Sequence, residues 1–154
     1  MTEIFALTAG DPRWEAAAAF ADGSAWRAGP YLAREMRAGH FHDWERVFVA
    51  YAEGAIAGYC VFAEKDELPE AYGLSPFIGF VYVDPLHRGH RLSQALLDSA
   101  VRYAGKCGFD RVYLMSGEKG LYEKYGFIGL GEYPNVWGTA DQLFYRETGG
   151  TLAC

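Results

Sequence analysis

The stretch "VYVDPLHRGHRLSQALL", Val81–Leu97, carries most of what this sequence says about its fold. An apolar strand ends at Asp84-Pro85. His87, Arg88, His90 and Arg91 then crowd around Gly89, and an amphipathic helix follows. The chain as a whole has 154 residues and a net charge of −6, so its densest cationic cluster stands out against an acidic background. A helix start already bears partial positive charge and several unpaired N–H groups. Adding cations there is unfavourable by roughly 0.3–1 kcal/mol each. The arrangement makes physical sense if an anion sits at the helix start, where backbone N–H groups, the dipole and arginine converge on phosphate oxygens. Gly89, lacking Cβ, lets the backbone come close. The plain alternative is a solvated basic turn. A third reading is a metal site from Asp84, His87 and His90, disfavoured by the flanking arginines.

Working outward, Phe77–Val83 ("FIGFVYV") is apolar throughout, the pattern of a strand covered on both faces. Gly79 inside it marks a bulge, a close approach, or room for a neighbouring aromatic. The following helix runs from Leu92 to Gly105, with Leu92, Ala95, Leu96, Ala100 and Tyr103 as its buried stripe. Upstream, a strand at Glu3–Leu7 leads to Asp11-Pro12 as a helix start, then a helix ending near Gly23, then "PYLAREMRAGH" as a second helix ended by Gly39. "RVFVAYAEGAIAGYCVFAEK" reads as a hairpin turning at Glu53-Gly54. Downstream come "RVYLM" as a short strand, "EKGLYEKYG" as a short helix ended by Gly126, and "FIGLGEY" and "QLFYRE" as closing strands. The order β-α-α-β-β-β-α-β-α-β-β predicts an α/β (α+β) fold: a mixed, mostly antiparallel sheet with helices on both faces. Without repeats or linkers, residues 1–154 form one expected domain.

About half of the residues are hydrophobic and 22% are charged, as in globular proteins. Acidity argues against nucleic-acid binding. Cys60, Cys107 and Cys154 are odd in number and lack metal spacing, which points to reduced thiols and a cytoplasmic setting. No signal peptide and no membrane-spanning run is read.

At Val81–Leu97 the sequence resembles the GNAT superfamily of N-acetyltransferases, whose acyl-CoA loop reads Arg/Gln-x-x-Gly-x-Gly/Ala before a helix. Arg88, Gly89, Leu92 and the helix match, and "RVYLMSGEKGLYEKYGF" matches the family's later strand and its "LYEKLGF" segment. The resemblance spans residues 76–128 and extends further only by element order. Arg91 stands where the family usually has its second glycine, and Ser93 where it has Gly or Ala.

The resemblance implies an acyl-CoA N-acyltransferase fold and direct acetyl transfer from acetyl-CoA, without a metal, to a primary amine of a small molecule or peptide. The main chain of Val81, Tyr82 and Val83 would receive the pantetheine arm. Arg88, Gly89, His90, Arg91, Leu92 and Ser93 would receive the pyrophosphate, with Ser116 as a substitute for an asparagine the family often has. Tyr122 would protonate the leaving thiolate, and Tyr125 would be core. A strand N–H near Val81 would polarise the oxyanion. The base is unassigned among His40, His42, Asp43, Glu45, Asp66, Glu67 and Glu70. Trp26, Tyr31, Met36, Trp44, Tyr133 and Trp137 supply aromatic and apolar surface on the acceptor side. The expected partners are this amine, no nucleic acid, no membrane and, as an allowed assembly, a homodimer. Two other functions fit: a non-catalytic acyl-CoA-binding or regulatory domain, and a metal-dependent hydrolase using His87 and His90.

Overall fold

The computed structural model describes residues 2–149. Its elements are β1 (Thr2–Leu7), α1 (Trp14–Asp22), α2 (Ala28–Ala38), β2 (Arg46–Ala52), β3 (Ala55–Ala63), β4 (Phe77–Val83), α3 (Leu92–Lys106), β5 (Arg111–Ser116), β6 (Ile128–Pro134) and β7 (Ala140–Glu147). Single 3-10 turns lie at Glu70–Tyr72, Pro85–His87 and Tyr122–Tyr125. The order matches the one read from the sequence, except that the short helix read at "EKGLYEKYG" is only the 3-10 turn Tyr122–Tyr125. Seven strands form one sheet in the order β1-β2-β3-β4-β5-β7-β6. β1/β2, β5/β7 and β6/β7 pair antiparallel, and β4/β5 pair parallel. The described chain divides into two compact units. One ends at Val61 and includes Phe80–Leu96; the other takes Phe62–Gly79 and the chain from Leu97 onward.

In the first unit, Leu7 opposite Val47 closes a six-position register between β1 and β2. α1 and α2 are tied by the Trp14 indole N–H, which donates to the Met36 carbonyl at 3.1 Å. Their buried faces are small: Ala17, Ala18, Ala21, Leu32, Ala33 and Met36. Glu53 and Gly54 both take positive φ (51° and 83°), the type I′ geometry whose twist matches the flanking strands. α1 begins at Trp14, later than the Asp11-Pro12 reading. Asp11 instead closes a turn, accepting from the Arg13 N–H at 2.8 Å and pairing with its guanidinium at 3.0 Å.

In the second unit, Leu68, Phe77, Tyr113, Met115 and Leu143 form an apolar cluster flanked by Leu74, Tyr133 and Tyr145. The strands β5, β7 and β6 are joined by continuous ladders, broken by a bulge at Gly129/Gly131. β6 is solvated: Ile128 and Leu130 are exposed. α3 buries Leu92, Leu96, Leu97, Ala100, Val101 and Ala104. Ala95 and Tyr103, read as part of the stripe, are only half-buried. Leu97, Val101 and Ala104 take the inner positions, so the apolar face is rotated by about one residue.

Candidate active site

β4 leads into the basic loop. It pairs in parallel with β5 at one register position, Phe77 opposite Tyr113, where the Tyr113 N–H donates to the Pro76 carbonyl at 2.9 Å. Phe80 then takes φ +52°, a left-handed conformation that a bulky residue adopts only under constraint. Its ring stacks on Tyr31 (6.0 Å between centroids, 12° between planes) and meets Trp26 edge-on at 6.2 Å. Trp26 also stacks on Tyr82 at 5.5 Å. The strain at Phe80 therefore directly precedes Val81, Tyr82 and Val83, with the aromatic packing holding this conformation.

After Val83 the chain turns through Asp84-Pro85. Asp84 caps the 3-10 turn by accepting from the Leu86 N–H at 3.1 Å, and its carboxylate lies 3.3 Å from His87 Nδ1. Arg88 folds back, its Nε–H donating to the Val83 carbonyl at 3.0 Å while its guanidinium lies 5.9 Å from the Tyr82 ring centre. Gly89 (φ +88°) and Arg91 (φ +60°) are both left-handed. A Cβ on Gly89 would meet nothing within 4 Å, so this backbone is open on its outer side. His90 and Arg91 are exposed, Leu92 is buried and Ser93 is half-buried. The Arg91 carbonyl accepts the first helical bond of α3, from the Ala95 N–H at 3.1 Å. Arg91 thus occupies the position where the chain bends into the helix. The cationic side chain where the family has glycine is accommodated by a left-handed backbone. Alternation of this kind turns successive N–H groups toward one concavity.

Ser116 and Tyr122 lie in the second unit. Ser116 ends β5, and its hydroxyl accepts from the Glu118 N–H at 3.0 Å, bracing the "SGEKG" turn. Tyr122 opens a 3-10 turn closed by Gly126 (φ +88°). It is buried among the rings of Phe144 (5.8 Å), Phe127 (6.1 Å) and Tyr125 (6.3 Å). Tyr125, read as core, is only half-buried. Arg146 pins this turn: it donates to the Tyr125 carbonyl at 2.9 Å and pairs with Asp98 of α3 at 2.8 Å. Neither Arg146 nor Asp98 is marked by sequence spacing, because each becomes a neighbour only through the sheet.

The candidate bases separate by environment. His40 pairs with Glu35 at 3.2 Å and His42 with Glu45 at 3.4 Å. Asp43 is exposed. Glu70 pairs with Lys65 at 3.1 Å. Glu67 accepts from the Trp137 indole N–H at 2.9 Å. Asp66 differs: its carboxyl packs onto β4 at Gly79, where a Cβ would lie 3.0 Å from Asp66 Cγ. Gly79 is therefore a close-approach glycine, and the neighbour it makes room for is a carboxyl group. Although Asp66 as a residue keeps partial exposure, the carboxyl end is the part turned inward. Burial, with Glu67's charge in support, pushes it up to about 7.

Of the aromatic and apolar supply, Met36 is core. Tyr31 and Trp137 are exposed, and Trp26, Trp44 and Tyr133 are half-buried. Among the described residues no group of three His, Cys, Asp or Glu is arranged to hold a metal ion. Cys60 and Cys107 are free thiols, and Cys154 lies outside the described residues. Among the described residues no helix is long and apolar enough to cross a membrane.

The sequence model of the acetyltransferase (GNAT) family matches residues 12–127. The chain belongs to this family. No curated protein sequence matches it. Among solved structures, this GNAT chain is similar to aminoglycoside 6'-acetyltransferase type Ii (TM-score 0.75, 16% identity, 97% of this chain and 99% of that one). It is also similar to a mutant spermidine N-acetyltransferase from Vibrio cholerae (0.65, 18%, 96% and 94%). A third is a GNAT acetyltransferase from Elizabethkingia anophelis with acetyl-CoA bound (0.64, 18%, 95% and 97%). At these identities the likeness carries the fold.

Proposed function

We propose that this GNAT chain is an N-acetyltransferase that moves the acetyl group of acetyl-CoA directly to a primary amine of a small molecule or peptide. The observation that carries the reading is the Arg88–Ser93 loop. Two left-handed residues, an open backbone face at Gly89 and exposed cations stand together at a helix start. That donor set fits a pyrophosphate. We read residues 1–154 as one domain, because β3, β4 and α3 each run unbroken from one compact unit to the other.

In this reading the main chain of Val81 to Val83 pairs with the pantetheine arm as a further strand would. A strand N–H near Val81 donates to the thioester oxygen as negative charge grows there. The amine nitrogen attacks the carbonyl carbon, the N–C bond forms and the C–S bond breaks. The Tyr122 hydroxyl gives its proton to the departing sulfur. The Ser116 hydroxyl, held at the end of β5, is available to the pantetheine amides. No step calls for a metal. The amine class is favoured by the acceptors named for the similar structures, an aminoglycoside and spermidine.

Calorimetric titration tests the donor half. Acetyl-CoA and coenzyme A should both bind, sulfate should compete, and exhaustive chelation should leave the affinity unchanged. Binding abolished by chelator and restored by zinc would instead support the His87/His90 metal reading.

A further inference from the structure

We propose that Asp66 is the base that takes the proton from an ammonium acceptor. The inference rests on the acetyltransferase reading and adds the residue that makes the acceptor nucleophilic. An ordinary alkylamine, with a pKa near that of lysine, about 10.4, reaches the enzyme protonated. It must lose that proton to a base poised near the working pH.

Asp66 is placed for this by construction. The β3–β4 connection delivers its carboxyl against Gly79, two residues before Val81 on the same strand. Any side chain at Gly79 would displace it. The segment is clamped from the other side by the β6–β7 turn. The Val136 N–H donates to the Glu67 carbonyl at 2.7 Å, and the Trp137 indole N–H donates to Glu67 Oε1 at 2.9 Å. Asn135 holds that turn in shape, its side-chain oxygen accepting from the N–H groups of Trp137 (2.9 Å) and Thr139 (3.1 Å). Trp137 remains 68% exposed beside the Glu67 carboxylate, a surface suited to a cation.

Among the described residues, the charge that acts on Asp66 beside burial is that of Glu67, and Lys65 is engaged with Glu70. Burial and Glu67 raise the carboxyl to about 7, while the Glu67 N–H opposes them. A plug that only filled space would be served by a neutral side chain. A carboxyl that ionises near neutrality is instead matched to proton transfer.

The proton balance closes. The ammonium gives one proton to the Asp66 carboxylate, which passes it to water. The freed amine attacks. Its second proton leaves as the C–S bond breaks, and one proton is returned to the sulfur through Tyr122. The net release is one proton per turnover.

The test combines kinetics with direct titration of the carboxyl. In the full-length protein carrying carbon-13 aspartate, the Asp66 carboxyl signal should titrate near pH 7 with no substrate present. With an accepted alkylamine, kcat/KM should rise about tenfold per pH unit below 7 and then level. Asp66→Asn should lower kcat/KM by about 10²–10⁴-fold and abolish that limb, with coenzyme A affinity kept. Glu67→Gln, which removes the neighbouring charge, should move the limb to lower pH. Glu70→Gln should change neither. A wild-type pH profile in folded Asp66→Asn, or an Asp66 signal titrating near 4, would overturn the assignment and leave the acetyltransferase reading intact. Acetyl-CoA binding with no transfer to any amine would overturn that reading and this one together.

Discussion

Tyr122 shows how one hydroxyl can be tested apart from its ring. Its aromatic neighbours Phe127, Phe144 and Tyr125 hold the side chain, so Tyr122→Phe keeps the packing and removes the proposed acid. Turnover should fall by about 10²–10⁴-fold, roughly 3–5 kcal/mol of barrier. Acetyl-CoA affinity should be unchanged. Tyr125→Phe, on the half-buried side of the same turn, should leave turnover close to wild type. Pre-steady-state rates are the measurement, because slow product release would hide the chemical step. Equal chemical rates for Tyr122→Phe and wild type would remove this tyrosine from the reaction. At this scale the sequence was only partly legible. The "LYEKYGF" segment marked Tyr122 through its resemblance to the family's corresponding segment. Asp66 stood among seven equal candidates, since its contact with Gly79 joins residues 13 positions apart across an irregular connection.

The elements were legible because their signals are local. Strand runs, glycine stops and the hairpin turn at Glu53-Gly54 each depend on a few neighbouring residues. The left-handed conformation within β4 was not. Phe80 gives no hint of positive φ, and its conformation is held by Trp26 and Tyr31 from the α1–α2 region. The face of α3 was likewise misjudged by about one residue, since periodicity gives a stripe's spacing more firmly than its centre. The α3 entrance carries its own prediction. Gly89 sits at φ +88°, a region that costs an L-residue about 1–2 kcal/mol and a β-branched one more. Gly89→Val should therefore reshape the loop and close its open face, weakening coenzyme A binding at least tenfold, about 1.4 kcal/mol. A Cβ there would meet nothing within 4 Å, so the fold should persist, and far-ultraviolet circular dichroism beside calorimetry separates the two effects. Unchanged affinity in the folded variant would remove the pyrophosphate role from this loop.

For the whole molecule, element order, the basic loop and the "LYEKYGF" segment together were enough to anticipate the seven-stranded sheet and the family. The contacts among the candidate acceptor-side residues were not legible, because they join loop and edge positions whose neighbours are set by tertiary structure. Trp137 illustrates this: its partner Glu67 is 70 residues away. In the proposed reading, the Glu67 carboxylate and the exposed Trp137 indole would suit a cationic amine. The direct measurement is thiol release from acetyl-CoA across a panel of amines, aminoglycosides, polyamines and lysine peptides, with mass spectrometry of the products. The account predicts amine-dependent thiol release that saturates for at least one cationic amine, with one acetyl group gained on nitrogen for each thiol released. Tight acetyl-CoA binding with no amine-dependent thiol release anywhere in the panel would contradict it and identify the chain as a non-catalytic acyl-CoA-binding member of the family.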